Sequence, residues 1–226
     1  MQWSSEELEQ VPSKGEQALN ISFDPEIKRA MIFDATQNVG LLQRIAEKFC
    51  VYSGVFENVT DRLLPLELND IQALDRCRTE ICSEEAQRYR QFGDALSRGF
   101  KSNEESELKV YQNIARVCMD ATDDELRAGL HYDTVYERLH MLNNRVRRSD
   151  FTAALQRLNR LQQDRQISPL VISYNEKSRY VQLVDRELLF YRRYGKPNWP
   201  WYEEAADESG TGDNADATVE PDLDGN

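Results

Sequence analysis

Histidine is nearly absent from this chain: 226 residues contain two, His131 and His140. With only four cysteines and no CxxC pair beside them, no ligand set for a structural zinc ion can be assembled. Cys50, Cys77, Cys82 and Cys118 fall among apolar neighbours in helical stretches and are expected as reduced core thiols. Long apolar runs are missing too, and none approaches the roughly 20 residues that a bilayer span requires. The opening MQWSSEELEQ lacks the basic and apolar regions of a secretory signal. The expectation is a cytoplasmic protein with no membrane segment, metal or cofactor.

Catalytic constellations are equally scarce. No serine or cysteine pattern lies near either histidine, and acidic pairs such as Asp123–Asp124 and Glu6–Glu7 sit at helix starts, where the macrodipole favours negative charge. GDALSRGFKS (residues 93–102) superficially resembles a phosphate-binding loop. Its spacing is one residue too long, Phe100 stands where glycine is needed, and it follows a helix instead of a strand. It reads as part of a hinge over 97–107, and the chain reads as a non-enzyme.

Basic residues stop at Lys196, whereas residues 203–226 carry nine acids. The net charge of −12 is therefore uneven along the chain. Without that tail, 28 basic residues face 31 acidic ones. Residues 141–196 hold 12 basic and 5 acidic side chains, a local +7, and residues 1–140 hold 16 and 26, a local −10. The tail's low apolar content predicts disorder, and its charge would suit occupation of the basic stretch.

What is present is mostly helical code. Ser4 and Glu7 have capping-box spacing, although Pro12 and Gly15 make continuation of that helix doubtful. Asp24-Pro25 is a capped start, with Ile27, Ala30, Met31 and Asp34 on one face. Leu41, Leu42, Ile45, Phe49 and Tyr52 form the next stripe, with Gly54 as its stop. From Asn69 to Ser97 the inward positions read Ile71, Leu74, Cys77, Ile81, Ala86, Tyr89, Phe92 and Leu96.

Beyond the hinge come three helical segments: ESELKVYQNIARVCMD, LHYDTVYERLHML with Asp133 as cap, and SDFTAALQRLNRLQQD with Phe151, Leu155, Leu158 and Leu161 inward. A hairpin follows, with strands near 170–174 and 180–184 joined by NEKS, and then a short helix capped by Asp185 and ending at Gly195. Three helices and a hairpin are the order of a winged helix–turn–helix domain, whose wing cannot stand alone. Tyr194–Tyr202, with Trp199 and Trp201, is expected to clamp back onto that domain.

In such a domain the third helix, Asp150–Asp164, would enter a DNA major groove. Its outer face offers Thr152, Gln156, Arg157, Asn159, Arg160 and Gln163, amides and guanidiniums suited to base edges. Arg145, Arg147, Arg148, Lys177 and Arg179 would meet phosphates.

ISFDPEIKRAMIFDATQNVGLLQRIAEKF (residues 21–49) resembles the lid subdomain of AAA+ and STAND-type ATPases, in which a Gly-Asn-like turn precedes a Gly-Leu-Leu-Gln-like helix start. Here the turn is Gln37-Asn38-Val39-Gly40, followed by Leu41-Leu42-Gln43-Arg44. The segment 3–20 also looks like the connection between an ATPase core and its lid. A winged helix commonly follows the lid in that family. The chain departs from the family in having no GxxxxGK[ST] motif, no strand-plus-acid segment for magnesium, and no arginine at Val39 or Gly40, Arg44 lying a turn further on.

The expectation is a mainly α protein in parts: a lid-like helical bundle over 1–98, as the resemblance implies, a winged helix over 104–202 from the order of its elements, and a disordered acidic tail over 203–226 from its composition. The basic face and the resemblance together point to a non-catalytic module that binds or positions double-stranded DNA for an AAA+/STAND-type ATPase system, or to the C-terminal part of such an ATPase. The alternative is a protein-interaction adaptor whose acidic bundle docks on an ATPase core.

Overall fold

The computed structural model describes residues 3–60, 63–100 and 108–202, and they are mainly helical. The expected tail over 203–226 and most of the expected hinge, 101–107, lie outside the described residues.

Helix α1 (Ser5–Leu19) starts on the Ser4 capping box: the hydroxyl accepts the Glu7 N–H at 3.2 Å while Glu7 accepts the Ser4 N–H at 2.8 Å. It runs unbroken through Pro12 and Gly15, against the expectation from composition. An interior proline costs about 3 kcal/mol; here its ring is buried, beside buried Leu8 and half-buried Val11. Strand β1 (Ile21–Phe23) follows, then α2 (Pro25–Asp34), capped as read by Asp24, which accepts from Glu26 and Ile27. In α3 (Val39–Tyr52) the Asn38 side chain accepts from Gly40 and Leu41. Leu41, Leu42, Ile45 and Phe49 all turn inward. Strand β2 (Leu66–Leu68) pairs with β1 in parallel, Ile21 opposite Leu66, and ties the following loop to the bundle.

Helix α4 (Ile71–Arg98) is the spine of the molecule. One side packs on α3, and its later turns pack on elements from beyond residue 108. Leu74, Cys77, Ile81, Tyr89, Phe92 and Leu96 are buried, but Ile71 is not: it is 54 % exposed, because it belongs to the first turn, short of the core.

The remaining chain builds α5 (Val110–Asp120), α6 (Asp123–Ala128), β3 (Leu130–His131), α7 (Tyr132–Leu142), α8 (Arg148–Asp164), β4 (Ile172–Asn175), β5 (Tyr180–Leu183) and α9 (Glu187–Tyr194). A second capping box, Thr122 with Glu125, starts α6. The cap of α7 is His131, whose Nδ1 accepts the Asp133 N–H at 3.3 Å, so Asp133 lies inside the first turn with its carboxylate available elsewhere. Strands β3, β5 and β4 form an antiparallel sheet in that order, Leu130 opposite Val181 and Tyr174 opposite Val181 on the other side.

Helix α9 lies against α4. Asp185 accepts the Glu187 N–H as expected, with Arg186 occupying the cap position itself. The tryptophan clamp reaches further than expected. Trp199 and Trp201 are buried and stacked, Trp199 lies edge-on to Phe92 of α4, and the Tyr202 hydroxyl meets Asp120 of α5. Gly93 makes room for this, since a Cβ there would stand 2.9 Å from Pro200 Cδ and 3.3 Å from Trp199.

Candidate functional site

The residues singled out for nucleic-acid contact gather around α8 and the β4–β5 turn, but they divide into two groups. Gln156, Arg157, Arg160 and Gln163 are exposed along α8, with Arg145 and Arg147 exposed just before it. Arg160 stands 3.5 Å from Asp164 of its own helix. Lys177 is exposed at the hairpin turn, which Asn175 shapes by accepting the N–H groups of Lys177 and Ser178.

The second group already has structural work. Thr152 is half-buried, donating to the Arg148 carbonyl at 2.7 Å with the Tyr132 hydroxyl at 2.7 Å. Asn159 accepts the Tyr174 N–H at 3.2 Å and so joins α8 to β4. Arg148 and Arg179 converge on one carboxylate, Asp133, at 2.8 and 3.7 Å. Their guanidiniums lie over the Tyr136 and Tyr132 rings, each 4.5 Å from a centroid. The Arg148 hydrogen bond, ahead of the pull of Arg179, holds the Asp133 carboxyl below its ordinary range.

Two anchors of this surface escape a reading by sequence. Asp133 passes for a helix cap. Gln162 is completely buried: its Oε1 accepts from Val171 at 2.9 Å while its Nε2 donates to Ile172 at 2.8 Å and Leu158 at 3.2 Å. Its spacing from Leu155 and Leu158, on the inward stripe, is the signal that places it inside.

A different polar cluster joins α2, α3 and α4 to α9. Asp34, fully buried, receives Arg78 Nε at 2.8 Å and the Tyr194 hydroxyl at 2.6 Å. Asp185 receives Arg88 at 2.6 Å and the buried Tyr89 hydroxyl at 2.7 Å, and burial pushes the Tyr89 phenol upward. Arg44 meets Glu84, Glu85 and Glu187 at 2.6, 2.9 and 3.2 Å. Its charge is spent within the fold. Thr36 and Gln37, both at positive φ, complete the contact, with Thr36 donating to the Arg186 carbonyl and Gln37 accepting from the Arg186 guanidinium.

The four thiols are buried, and burial pushes them up, to about 11 for Cys50 and Cys82 and about 12 for Cys77 and Cys118. Such thiols are poor nucleophiles at neutral pH. Among the described residues, no group of three or more His, Cys, Asp or Glu side chains is placed to hold a metal ion. No described helix is long and apolar enough to cross a membrane.

No family model matches the chain, and neither a curated protein nor a solved structure does.

Proposed function

We propose that residues 108–202 form a winged helix–turn–helix that binds double-stranded DNA without catalysing a reaction on it. The observation that carries this reading is topological. The order α5, α6, β3, α7, α8, β4, β5, with the short α6 between α5 and β3 and with β3 paired to the far strand of the hairpin, packs α8 by its Phe151–Leu161 stripe and leaves the opposite face in water. That face and its flanks present Arg145, Arg147, Gln156, Arg157, Arg160, Gln163 and Lys177. In this reading α8 enters the major groove and the hairpin turn lies over the backbone. Arg148 and Arg179 act by holding the helix start and the wing base to Asp133.

The bundle over 1–98 is then a lid-like platform in an AAA+ or STAND-type system, carrying the winged helix at a set angle through the Asp34, Asp185 and Arg44 contacts. Fluorescence anisotropy of the full chain on a mixed duplex tests the DNA reading. Affinity should fall steeply with salt, and Arg157→Ala/Arg160→Ala should reduce the log–log slope by about 2. Absence of binding at low salt overturns it.

A second reading, a protein-docking adaptor, draws on one observation: an apolar cleft of about 420 Å³ between α1 and α3, on the acidic half of the chain.

A further inference from the structure

Two apolar features of this chain stand in water with opposite shapes and opposite charged surroundings. The first is the cleft between α1 and α3, walled by Val11, Leu19, Phe23, Ala46 and Val55. At its edge Phe56 is 79 % exposed and Val51 45 %. Its rim is acidic. Glu47 lines it and Glu57 follows Phe56; both are exposed, and neither makes an ion pair among the described residues. The α1 wall contains Pro12 and Gly15, two residues that a helix interior accepts only at a cost. No neighbour in the fold demands the glycine, because a Cβ at Gly15 would meet nothing within 4 Å. A glycine with empty space over it, in the wall of an apolar cleft, suits close approach by a group from outside.

The second feature is convex. Helix α7 ends with Met141, 78 % exposed, and Leu142, 40 % exposed, in the sequence HMLNNRVRR. Arg145 and Arg147, exposed, follow within five residues. An apolar pair in water with cations beside it has the make-up of one side of a contact, an apolar centre with a charged rim. Here the sign is the complement of the cleft's rim. Even the minor charges alternate: Glu137, exposed, lies a turn back along α7, and Lys14, exposed, lies beside Gly15. Both features are solvated in the same structure, so the chain does not bring them together within itself. A second copy can.

We propose that this chain associates head to tail, seating the Met141–Leu142 corner of one copy in the α1–α3 cleft of the next, with Arg145 and Arg147 against Glu47 and Glu57. The contact joins two different surfaces, so each copy keeps one unused half of it, and association propagates beyond a dimer unless the rotation closes a ring. A contact this small is expected to be weak, with a dissociation constant on the order of tens of micromolar, and to weaken as salt screens the rim charges.

Sedimentation velocity of the full chain, from about 5 to about 200 µM, tests this without DNA and so apart from the DNA reading. The expected result is a sedimentation coefficient that rises past the dimer with concentration and falls at high salt. Phe56→Asp should abolish the rise by blocking the cleft, and Met141→Asp by blunting the corner. Both side chains are exposed, so circular dichroism and melting should match the parent. The decisive arm is a mixture of the two variants, in which one intact cleft meets one intact corner and growth stops at a heterodimer. A parent that stays monomeric at the highest concentration overturns the proposal, as does association unchanged by either variant. Cleft-dependent binding of a basic-flanked apolar peptide to a monomeric parent would assign the cleft to a different protein and would also overturn it.

Discussion

The Asp34 carboxylate and the Tyr194 hydroxyl meet at 2.6 Å across 160 positions of sequence, at a point where Asp34 is wholly shielded from water. Arg78, 2.8 Å from the same carboxylate and 4.7 Å above the Tyr194 ring, completes the contact. Removing the acid as Asp34→Ala would leave Arg78 half-buried with only the exposed Asp75 opposite it, at 2.8 Å, and a broken buried pair costs about 3–5 kcal/mol. Tyr194→Phe removes one hydrogen bond to a charged group, about 1.5–3 kcal/mol. Urea unfolding should order the two variants that way. Equal losses would mean that Asp75 suffices to hold Arg78.

The Gln162→Leu variant should damage the β4–β5 hairpin while sparing the helices around it. Leucine matches the volume and would complete the apolar stripe, but the Val171 N–H and Ile172 carbonyl would lose their partner inside the core. A buried unpaired group costs about 1–3 kcal/mol. Amide exchange should accelerate most at Val171 and along β4. Unchanged protection there would show that the hairpin holds itself against α8 through Asn159 alone.

Much of this architecture was legible because caps are local chemistry. Ser4, Asp24 and Asn175 act through bonds two or three residues long, so their motifs survive translation into structure. The β1–β2 pair was not legible. Three residues give no period, and their partner lies 45 positions away. Strand β3, with two residues, is hidden for the same reason, although it is the strand that makes the hairpin part of a sheet. Pro12 misled because a propensity is only a prior, and the packing of α1 as a whole on α2 and α3 overrides it. At the candidate site, sequence showed which cations lie along α8 but not which of them another residue neutralises. Asp133 does so from a different helix, and no spacing announces it.

Acid should loosen α6 before the core. The Arg138 hydrogen bond, then the Thr122 backbone, hold the Glu125 carboxyl at about 2, against an ordinary value of 4.5. Between those values the unfolded chain binds more protons than the folded one, so the contribution of Glu125 is complete above about pH 4.5 and is lost as pH falls toward about 2. Glu125→Gln should therefore lower the unfolding midpoint near neutrality, and the gap from the parent should close through that window. A gap independent of pH would assign the loss to the capping geometry and not to the charge.

Asp133 offers a way to separate the two functional readings. Its carboxylate engages Arg148 and Arg179 at the start of α8 and at the end of the hairpin turn, where a duplex backbone would lie if α8 entered the groove. Asp133→Asn releases both guanidiniums and removes one negative charge. On the DNA reading, affinity at low salt should rise several-fold and the salt dependence should steepen by about 1–2 in slope, as two more cations become available to phosphates. Glu137→Gln is the matched control, because it changes net charge equally from an exposed position of the same helix and releases no arginine among the described residues. A rise specific to Asp133→Asn would mean that this carboxylate competes with phosphate for the two arginines. Equal behaviour of the two variants would make the arginine–tyrosine cluster a purely structural brace and would favour the adaptor.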